Sequence, residues 1–248
     1  MNSDIIELKK LFKQIKREGY IESNDKSWGA VGNTFEKLIG KKEENFAIPD
    51  YKTIEIKTMR ENSTSKLHLF NATPDGDYLF PIKRVLNILG YPDKINKNYK
   101  VFNVDVDAVN FKSLGLYKRV KLSINREEKK VDLVAFDING NDLEINTSWS
   151  FDLLEKCLKR KIKYLALIRA KTKNINKKEY FYYKKIDFYE LKNVETFIDL
   201  LERGVIIITF KIGVYRSGKN KGKIHDRGTG FSIDIKNIEY LYKKIKKL

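Results

Sequence analysis

The chain has 248 residues, of which 42% are hydrophobic and 33% are charged. This predicts a globular protein with a real core, in one large domain or two joined lobes. Lysine and arginine number 50 against 33 aspartate and glutamate, so the formal net charge is +17. Such an excess disfavours a simple metabolic enzyme and predicts a polyanionic partner, although a lysine-rich, AT-rich coding bias would explain part of it.

Nucleic acid is the favoured partner because the marks of a membrane protein are lacking. The sequence has no run of about 18 apolar residues, and it opens with MNSDIIELKK, which has no apolar signal core. Cys157 is the single cysteine and the histidines are His68 and His225, which excludes an intramolecular disulfide and a cysteine-based zinc cluster. Carboxylates would have to hold any metal, which favours Mg²⁺, and we expect a cytoplasmic protein.

Helices and strands are predicted to mix along the whole chain. Apolar residues at helical spacing predict a helix over 4–18, and a second helix over 32–39 ends at Gly40. The elements predicted after it are a strand at 51–58, a polar loop at 60–66, a helix at 81–90, strands at 101–107, 116–124, 131–138 and 141–146, a helix at 150–161, strands at 163–170 and 179–186, a helix at 193–202, strands at 204–215 and 223–235, and a helix at 236–247. This order predicts an α/β fold with a mixed central β-sheet flanked by helices, and lobes that embrace a ligand.

The residue pattern that carries chemistry lies in the segment PDYKTIEIKT, which begins at Pro49. Side chains alternate along a strand, so Glu55 and Lys57 share one face. Asp50 lies at the entrance of the strand, where a turn can swing its carboxylate toward Glu55. Two converging carboxylates can hold Mg²⁺, and the lysine can orient a water or stabilise charge on a phosphate, as phosphodiester hydrolysis requires. The alternative is an ordinary amphipathic edge strand with solvated charges.

Two further segments carry a resemblance to a known family. The run GNTFEKLIG, residues 32–40, is similar to the first motif of MutH-like nucleases, in which a glutamate on a helix precedes an Asp…Glu-x-Lys strand. Its spacing to Asp50, Glu55 and Lys57 is especially similar to the MvaI/BcnI group of restriction endonucleases. The late segment IHDRGTGF, residues 224–231, resembles their DNA-contacting segment.

The resemblance implies a PD-(D/E)xK nuclease fold and a type II restriction endonuclease. Such an enzyme uses Mg²⁺ and cuts double-stranded DNA, here at a site like CC(A/T)GG. Asp50, Glu55 and Lys57 would perform the chemistry, with Asp50, Glu55 and Ile56 binding the metal and Glu36 supporting the site. Without the resemblance, Glu36 is equally a surface helix residue or a salt-bridge partner. Two alternatives stay open: a MutH-like mismatch-repair nicking endonuclease, and a non-catalytic basic DNA-binding module.

A second group of acids competes for the catalytic role. Asp137, Asp142 and Glu144 lie on neighbouring predicted strands, but Asn146 occupies the place of the lysine. We interpret these residues as hairpin and loop acids. Asp105 alternates with valines on a predicted strand and is interpreted as solvated.

The predicted hairpin at 204–235 is the candidate for reading DNA, because a two-stranded ribbon fits the major groove. Arg227 and His225 are predicted to read bases, with Arg216 as a weaker third, because both residue types can donate to guanine. The hairpin also carries lysines predicted to bind DNA, of which Lys223 and those of the tip are expected to contact only phosphates: Lys211, Lys219, Lys221 and Lys223. The alternative is a solvated basic hairpin that makes phosphate contacts alone.

The loop 60–68 directly follows the catalytic strand, and its Arg60 and Lys66 are predicted to bind DNA. The loop would enter the minor groove or line the cleft, and a plain surface loop is the alternative. The aromatic stretch 180–183 suggests base stacking, but its alternation predicts that half of it is core.

One candidate catalytic strand and no internal repeat predict a monomer that needs no obligatory protein partner. We expect a single nuclease over 1–248. Its catalytic lobe would be centred on 30–170 and its DNA-recognition lobe on 204–235.

Overall fold

The structure is a computed structural model that describes residues 2–23, 25–40, 48–77 and 79–246. The helices are α1 (Ser3–Arg17), α2 (Ala30–Leu38), α3 (Leu79–Leu89), α4 (Phe151–Lys161), α5 (Val194–Glu202) and α6 (Ile238–Leu241), with a 3₁₀ turn at Ile235–Asn237. The strands are β1 (Ile21–Glu22), β2 (Ile54–Arg60), β3 (Leu67–Asn71), β4 (Tyr91–Pro92), β5 (Lys100–Val106), β6 (Lys112–Leu114), β7 (Lys118–Asn125), β8 (Lys130–Asp137), β9 (Thr147–Ser150), β10 (Tyr164–Ile175), β11 (Lys178–Leu191), β12 (Ile206–Val214), β13 (Ile224–Asp226), β14 (Gly230–Ile233) and β15 (Tyr242–Lys244). The predicted mixed α/β class is confirmed.

The chain forms two compact units, each assembled from separate segments. The first unit comprises Met1–Ser65, Leu158–Lys192 and Ile238–Leu248. The second comprises Lys66–Cys157 and Asn193–Asn237. The described residues form three sheets, where the sequence predicts one central sheet.

The first unit is built on a five-stranded sheet in the order β1-β11-β10-β2, with β15 paired to β11. β2 runs parallel to β10 and the other pairs are antiparallel, so this sheet is mixed. Ile54 and Ile56 point to one face and join the buried core with residues of α1 and α2. Because side chains alternate, Glu55 and Lys57 lie on the opposite face. We call these two surfaces the core face and the site face.

α1 covers the core face because its apolar residues recur at helical spacing. Ile5, Leu8, Phe12 and Ile15 are buried on one side of the helix. The Asn2 side chain accepts a hydrogen bond from the backbone of the first turn and caps the helix. Lysines occupy the exposed side, so α1 supplies both a core and a basic surface that is remote from the site face.

The second unit contains a six-stranded sheet in the order β3-β14-β12-β5-β4, with β13 paired to β12, and a four-stranded sheet in the order β6-β7-β8-β9. Phe231 of β14 lies at the centre of its aromatic core, with its ring centroid 5.0 Å from that of Phe70 and 5.5 Å from that of Phe197. Trp149 is fully buried, and its indole N–H donates to the carbonyl of Ala72 at 2.9 Å. This core supports β12 and β14, which flank the predicted DNA-reading segment.

Four predicted elements differ from the structure. The strand predicted at 223–235 is divided into β13 and β14. The segment 141–146 makes only an isolated bridge and has positive φ at Glu144 and Asn146, which interrupts a strand. The loop predicted at 60–68 is shorter, because β2 extends to Arg60 and β3 begins at Leu67. The C-terminal helix predicted at 236–247 ends at Leu241 and gives way to β15; Lys247 lies outside the described residues.

No helix in the described part of the chain is long and apolar enough to cross a membrane.

Candidate active site and DNA interface

A tight turn at the start of β2 brings Asp50 back along the strand. The backbone N–H of Tyr51 donates to the carbonyl of Ile54 at 3.0 Å, and the reverse bond measures 2.8 Å. Lys52 adopts a φ of 50° in this turn. Asp50 Oδ2 then accepts a hydrogen bond from the backbone N–H of Ile56 at 2.9 Å. The carboxylate therefore sits beside the strand, which begins at Ile54, three residues later than predicted.

Glu55 is a buried acid with one oxygen left unsatisfied. Its side chain is 1% exposed, and Oε1 accepts a hydrogen bond from Lys57 Nζ at 2.7 Å. Lys161, at the end of α4, places its Nζ 3.7 Å from the same oxygen. The other oxygen, Oε2, is buried and has no hydrogen-bond partner. An unsatisfied buried carboxylate oxygen is costly and points to a missing ligand.

The electrostatics of Glu55 indicate the kind of ligand that is missing. Burial raises the pKa of Glu55, and the Asp50 carboxylate pushes it in the same direction, while Lys57 and Lys161 oppose the shift. Two carboxylates that disfavour each other's charge attract a cation. The N–H and C=O of one strand residue point to the same side, so strand geometry predicts the Ile56 carbonyl on the side where its N–H meets Asp50. These oxygen donors fit a small hard cation.

The donor set also limits how much of a metal's coordination the protein supplies. Across the described ranges, no group of three or more His, Cys, Asp or Glu side chains is placed to hold a metal ion. Mg²⁺ is commonly bound through one or two carboxylates, with waters and substrate phosphates completing its shell. The pair Asp50 and Glu55 matches that pattern.

Glu36 lies half-buried on α2, whose residues Val31, Thr34 and Phe35 are buried. α2 and β2 are neighbours within the first unit's core. The supporting role of Glu36 stays a prediction.

The competing acids are engaged in local turns. Asp137 accepts hydrogen bonds from the backbone of Asn139 and Asn141, and the Asn141 side chain donates to it as well, which lowers its pKa. Asp142 accepts from the N–H of Glu144 at 2.7 Å. These contacts fit the interpretation as hairpin and loop acids.

The predicted DNA-reading hairpin has a two-stranded body and a turn at its tip. β12 and β13 pair antiparallel from Ile212↔Asp226 to Val214↔Ile224. The tip is closed by Tyr215, whose N–H donates to the Lys223 carbonyl at 3.0 Å and whose carbonyl accepts from Gly222 at 2.9 Å. We call β12, the connecting residues 215–223, β13 and the adjoining Arg227 the recognition ribbon. Its predicted DNA-binding lysines are all exposed: Lys211, Lys219, Lys221 and Lys223.

The two predicted base-reading residues are held against the recognition ribbon. The His225 ring stacks on Tyr215, with centroids 4.1 Å apart and planes inclined by 6°. Arg227 donates through Nη2 to the carbonyl of Val214 at 3.2 Å and remains exposed. A Cβ added to Gly213 would lie 3.5 Å from that Nη2, in ordinary van der Waals contact.

An open cleft of about 450 Å³ lies beside His225 and Arg227, with Asn71 and Thr73 among the residues that line it. Gly230 lets β14 approach β3 beneath this cleft, because an added Cβ would lie 2.2 Å from the Phe70 carbonyl oxygen. The polar rim of the cleft suits the edges of bases.

Arg216 is engaged differently from the prediction. Its guanidinium forms two bonds with Asp93, Nε to Oδ2 at 2.8 Å and Nη2 to Oδ1 at 2.9 Å. Burial acts to raise the pKa of Asp93, but the backbone N–H of Ile95 and the Arg216 guanidinium leave it below its ordinary value. The pair anchors the base of the ribbon tip, and a DNA contact by Arg216 would compete with it.

Arg60 and Lys66 also have acidic partners. Arg60 Nη2 lies 2.9 Å from each Glu179 oxygen, and Nη1 donates to the Trp28 carbonyl at 3.2 Å. Lys66 Nζ lies 2.8 Å from Asp105, whose other oxygen accepts from Thr209. Asp105 is thus ion-paired rather than simply solvated, and the DNA contacts of both cations stay predictions.

The comparisons with known proteins decide the family. The family model described as "MvaI/BcnI restriction endonuclease family" matches residues 9–242. The chain belongs to this family. The predicted resemblance is confirmed, and membership of the MvaI/BcnI family makes the chain a nuclease of the restriction class.

Solved structures of the family agree with the fold. One is described as "Restriction endonuclease MvaI-cognate DNA substrate complex"; it is 30% identical, with a TM-score of 0.89, and the match covers 99% of this chain and 98% of that chain. Another, "Restriction endonuclease MvaI in the absence of DNA", has the same identity and coverage and a TM-score of 0.63. A comparison with curated protein sequences found no match.

Proposed function

We propose that this protein is a type II restriction endonuclease that cuts duplex DNA at one short site by Mg²⁺-dependent hydrolysis. The observation that carries the proposal is the arrangement of Asp50, Glu55 and Lys57 at the start of one strand. Two carboxylates are brought together by a turn, one of them has an unsatisfied buried oxygen, and an ammonium lies 2.7 Å from its other oxygen. This is the arrangement expected of a PD-(D/E)xK nuclease.

Each residue of the site has a separate task. Asp50, Glu55 and the Ile56 carbonyl would hold Mg²⁺, which supplies Lewis-acid stabilisation of the charge that develops on the scissile phosphate. Lys57 is 22% exposed and extends from the buried carboxylate toward solvent. Its ammonium can orient the attacking water and stabilise negative charge in the transition state. Asp50 is held in place by the Ile56 N–H, so the site is organised before DNA arrives.

Sequence recognition belongs to the second unit in this proposal, and catalysis to the first. The recognition ribbon presents His225 and Arg227 beside an open polar cleft, and an arginine can form a bidentate contact with guanine. A solved relative was captured with its cognate DNA. The target CC(A/T)GG and a cytoplasmic location complete the proposal; the target rests on the resemblance, and the location rests on the single cysteine.

Incubation of the purified protein with plasmid DNA tests the proposed chemistry. We expect double-strand cutting with Mg²⁺ as the only addition and none with an excess of EDTA. EDTA removes the cation that Asp50, Glu55 and the Ile56 carbonyl would hold, and without it the charge on the phosphate is not stabilised. Cutting that appears only after partner proteins are added would indicate a MutH-like nicking enzyme. Sequence-specific binding without cutting would indicate a DNA-binding module.

We further propose that the protein acts as a monomer that cuts one strand at a time. The described residues contain one Asp50–Glu55–Lys57 arrangement, and a central A/T pair makes the proposed target asymmetric. A supercoiled plasmid with one site should therefore pass through an open-circular intermediate before it becomes linear. Light scattering should give one protein per duplex. A stable dimer that makes linear DNA without a nicked intermediate at any enzyme concentration would contradict this assignment.

A further inference from the structure

β10 and β11 extend well beyond the catalytic strand. β2 pairs with β10 only as far as Arg60↔Ala170, while β10 continues to Ile175 and β11 begins at Lys178. The two-residue turn between them has φ values of 51° and 63°, as a type I′ hairpin turn requires. Residues 171–178 are all exposed. We call residues 171–182 the distal ribbon.

The pairing register decides which side chains of the distal ribbon share a face with the active site. In the parallel pair, Glu55 lies opposite Leu165 and Lys57 opposite Leu167. Paired residues lie side by side on one face, and every second residue of a strand returns to it. Arg169, Lys171 and Lys173 therefore follow on the site face. The residues that alternate with them point to the core face, where Ile168 and Ala170 are buried.

These three cations form a stripe that leads away from Lys57. Lys185 of β11 lies opposite Arg169, but it is paired with Asp187 at 2.8 Å and is not counted in the stripe. Alternate residues of a strand are about 6.6 Å apart. A row of cations with this spacing can lie along one DNA backbone and meet its phosphates.

Tyrosines of the neighbouring strand β11 lie beside the lysines of the stripe. Tyr182 lies opposite Lys171 and Tyr180 opposite Lys173, while the Tyr20 ring packs 5.7 Å from that of Tyr182. Lys173 Nζ lies 5.8 Å from the Tyr20 centroid. The aromatic stretch is thus divided between the two faces. Phe181 and Tyr183 are fully buried on the core face, and Tyr180 and Tyr182 lie beside the lysines on the site face.

Acidic groups near the stripe are already neutralised. Glu61, which follows β2, lies 2.6 Å from Lys184. Glu22 lies 2.7 Å from Lys178 and accepts from the Tyr180 hydroxyl at 2.9 Å. Among the described residues, the charge that remains on the site face beyond Lys57 is therefore positive.

We propose that Arg169, Lys171 and Lys173 bind the phosphates of the DNA duplex that flanks the cut site. This inference rests on the proposed function and extends it beyond the recognition sequence. Lysines act as point charges on phosphate and carry no base specificity, so the stripe holds flanking DNA of any sequence. From Arg169 to Lys173 the stripe spans about 13 Å, which corresponds to the axial length of about four base pairs of duplex.

The test compares one double variant on two cognate duplexes in the absence of Mg²⁺. Lys171→Gln/Lys173→Gln should lower the affinity for a duplex with about 12 flanking base pairs by about tenfold. The negative slope of log K against log salt should become less steep by about 1.8, because two phosphate contacts are lost. On a duplex that ends about two base pairs beyond the site, the variant should bind like the wild type, because the stripe then has no DNA to contact.

The matched control removes two lysines from the other side of the same sheet. Lys13 and Lys16 are exposed on α1, which packs on the core face. Lys13→Gln/Lys16→Gln should leave both affinities and the salt slope unchanged. Lys171→Arg/Lys173→Arg should restore binding of the long duplex. Thermal unfolding of all three proteins should match the wild type, since the substituted side chains are exposed.

Two results would overturn the inference: an unchanged salt slope on the long duplex, or an equal loss on both duplexes. If the wild-type protein cuts DNA and either of these results is obtained for the variant, the distal ribbon does not contact the flanking duplex. The proposed function is then unaffected. A wild-type protein that neither binds nor cuts cognate DNA would instead contradict the proposed function.

Discussion

We expect Glu55→Ala to lose at least about a thousandfold of the Mg²⁺-dependent cleavage rate while it binds cognate DNA within a fewfold of the wild type. The carboxylate would hold the cation that stabilises the charge developing on the scissile phosphate, and such interactions act mainly on the rate rather than on substrate binding. Asp50→Ala and Lys57→Ala should behave alike. The measurement is the single-turnover rate at saturating enzyme, beside the affinity without metal.

Glu55 is buried, so its replacement needs a variant of the same size. Glu55→Gln keeps the volume and removes the charge, and it should be as inactive as the alanine variant while remaining folded. Asp142→Ala is the matched control, because Asp142 caps a local turn. Near-normal cutting by either Glu55 variant, or a folded but inactive Asp142→Ala protein, would show that the active site lies elsewhere.

Arg227→Ala is expected to lose sequence discrimination by about 1–3 kcal/mol, which is the range for one bidentate arginine–guanine contact. Its guanidinium is exposed and donates to the Val214 carbonyl at 3.2 Å, so most of its donors remain available for a base. The measurement is the ratio of the dissociation constants for cognate and random duplexes at one salt concentration. The wild-type ratio should fall by about 5- to 150-fold.

Lys221→Gln supplies the contrast on the same ribbon. Lys221 is exposed at the tip, and its loss should weaken binding to both duplexes equally and reduce the salt slope by about 0.9. If Arg227→Ala weakens cognate and random DNA to the same extent, Arg227 is a phosphate contact and His225 becomes the first candidate for base reading.

The candidate site could be predicted because its signal is local. Pro49, the carboxylate of Asp50 and the alternation of Ile54 and Ile56 with Glu55 lie within a few residues. Strand geometry alone then assigns the faces. The turn that swings Asp50 toward Glu55 was expected on the same ground, and the structure contains it.

Long-range partners could not be predicted from the same patterns. Asp93 lies 123 residues from Arg216 in sequence, yet the two form a bidentate pair. Lys161 reaches Glu55 from the end of a distant helix. In a lysine-rich chain, the local sequence does not distinguish the cations that form ion pairs from those that do not. Only the folded structure shows which of them meet an acid.

Two element errors have the same origin. Tyr242–Lys244 belongs to a segment rich in lysine, with apolar residues that suit a helix or a strand, and its pairing with β11 settles the conformation. Leu67–Asn71 follows a polar run that favours a loop, and β14 recruits it as a strand. Tertiary pairing overrides local preference at both places.

The most direct test of the central claim is to digest phage DNA with the purified protein and Mg²⁺ and to sequence the fragment ends. We predict that every end lies at one short sequence, that Glu55→Gln yields no such ends, and that the sequence matches CC(A/T)GG if the resemblance extends to the target. Ends scattered over unrelated sequences, or intact DNA in Mg²⁺, would contradict a site-specific endonuclease.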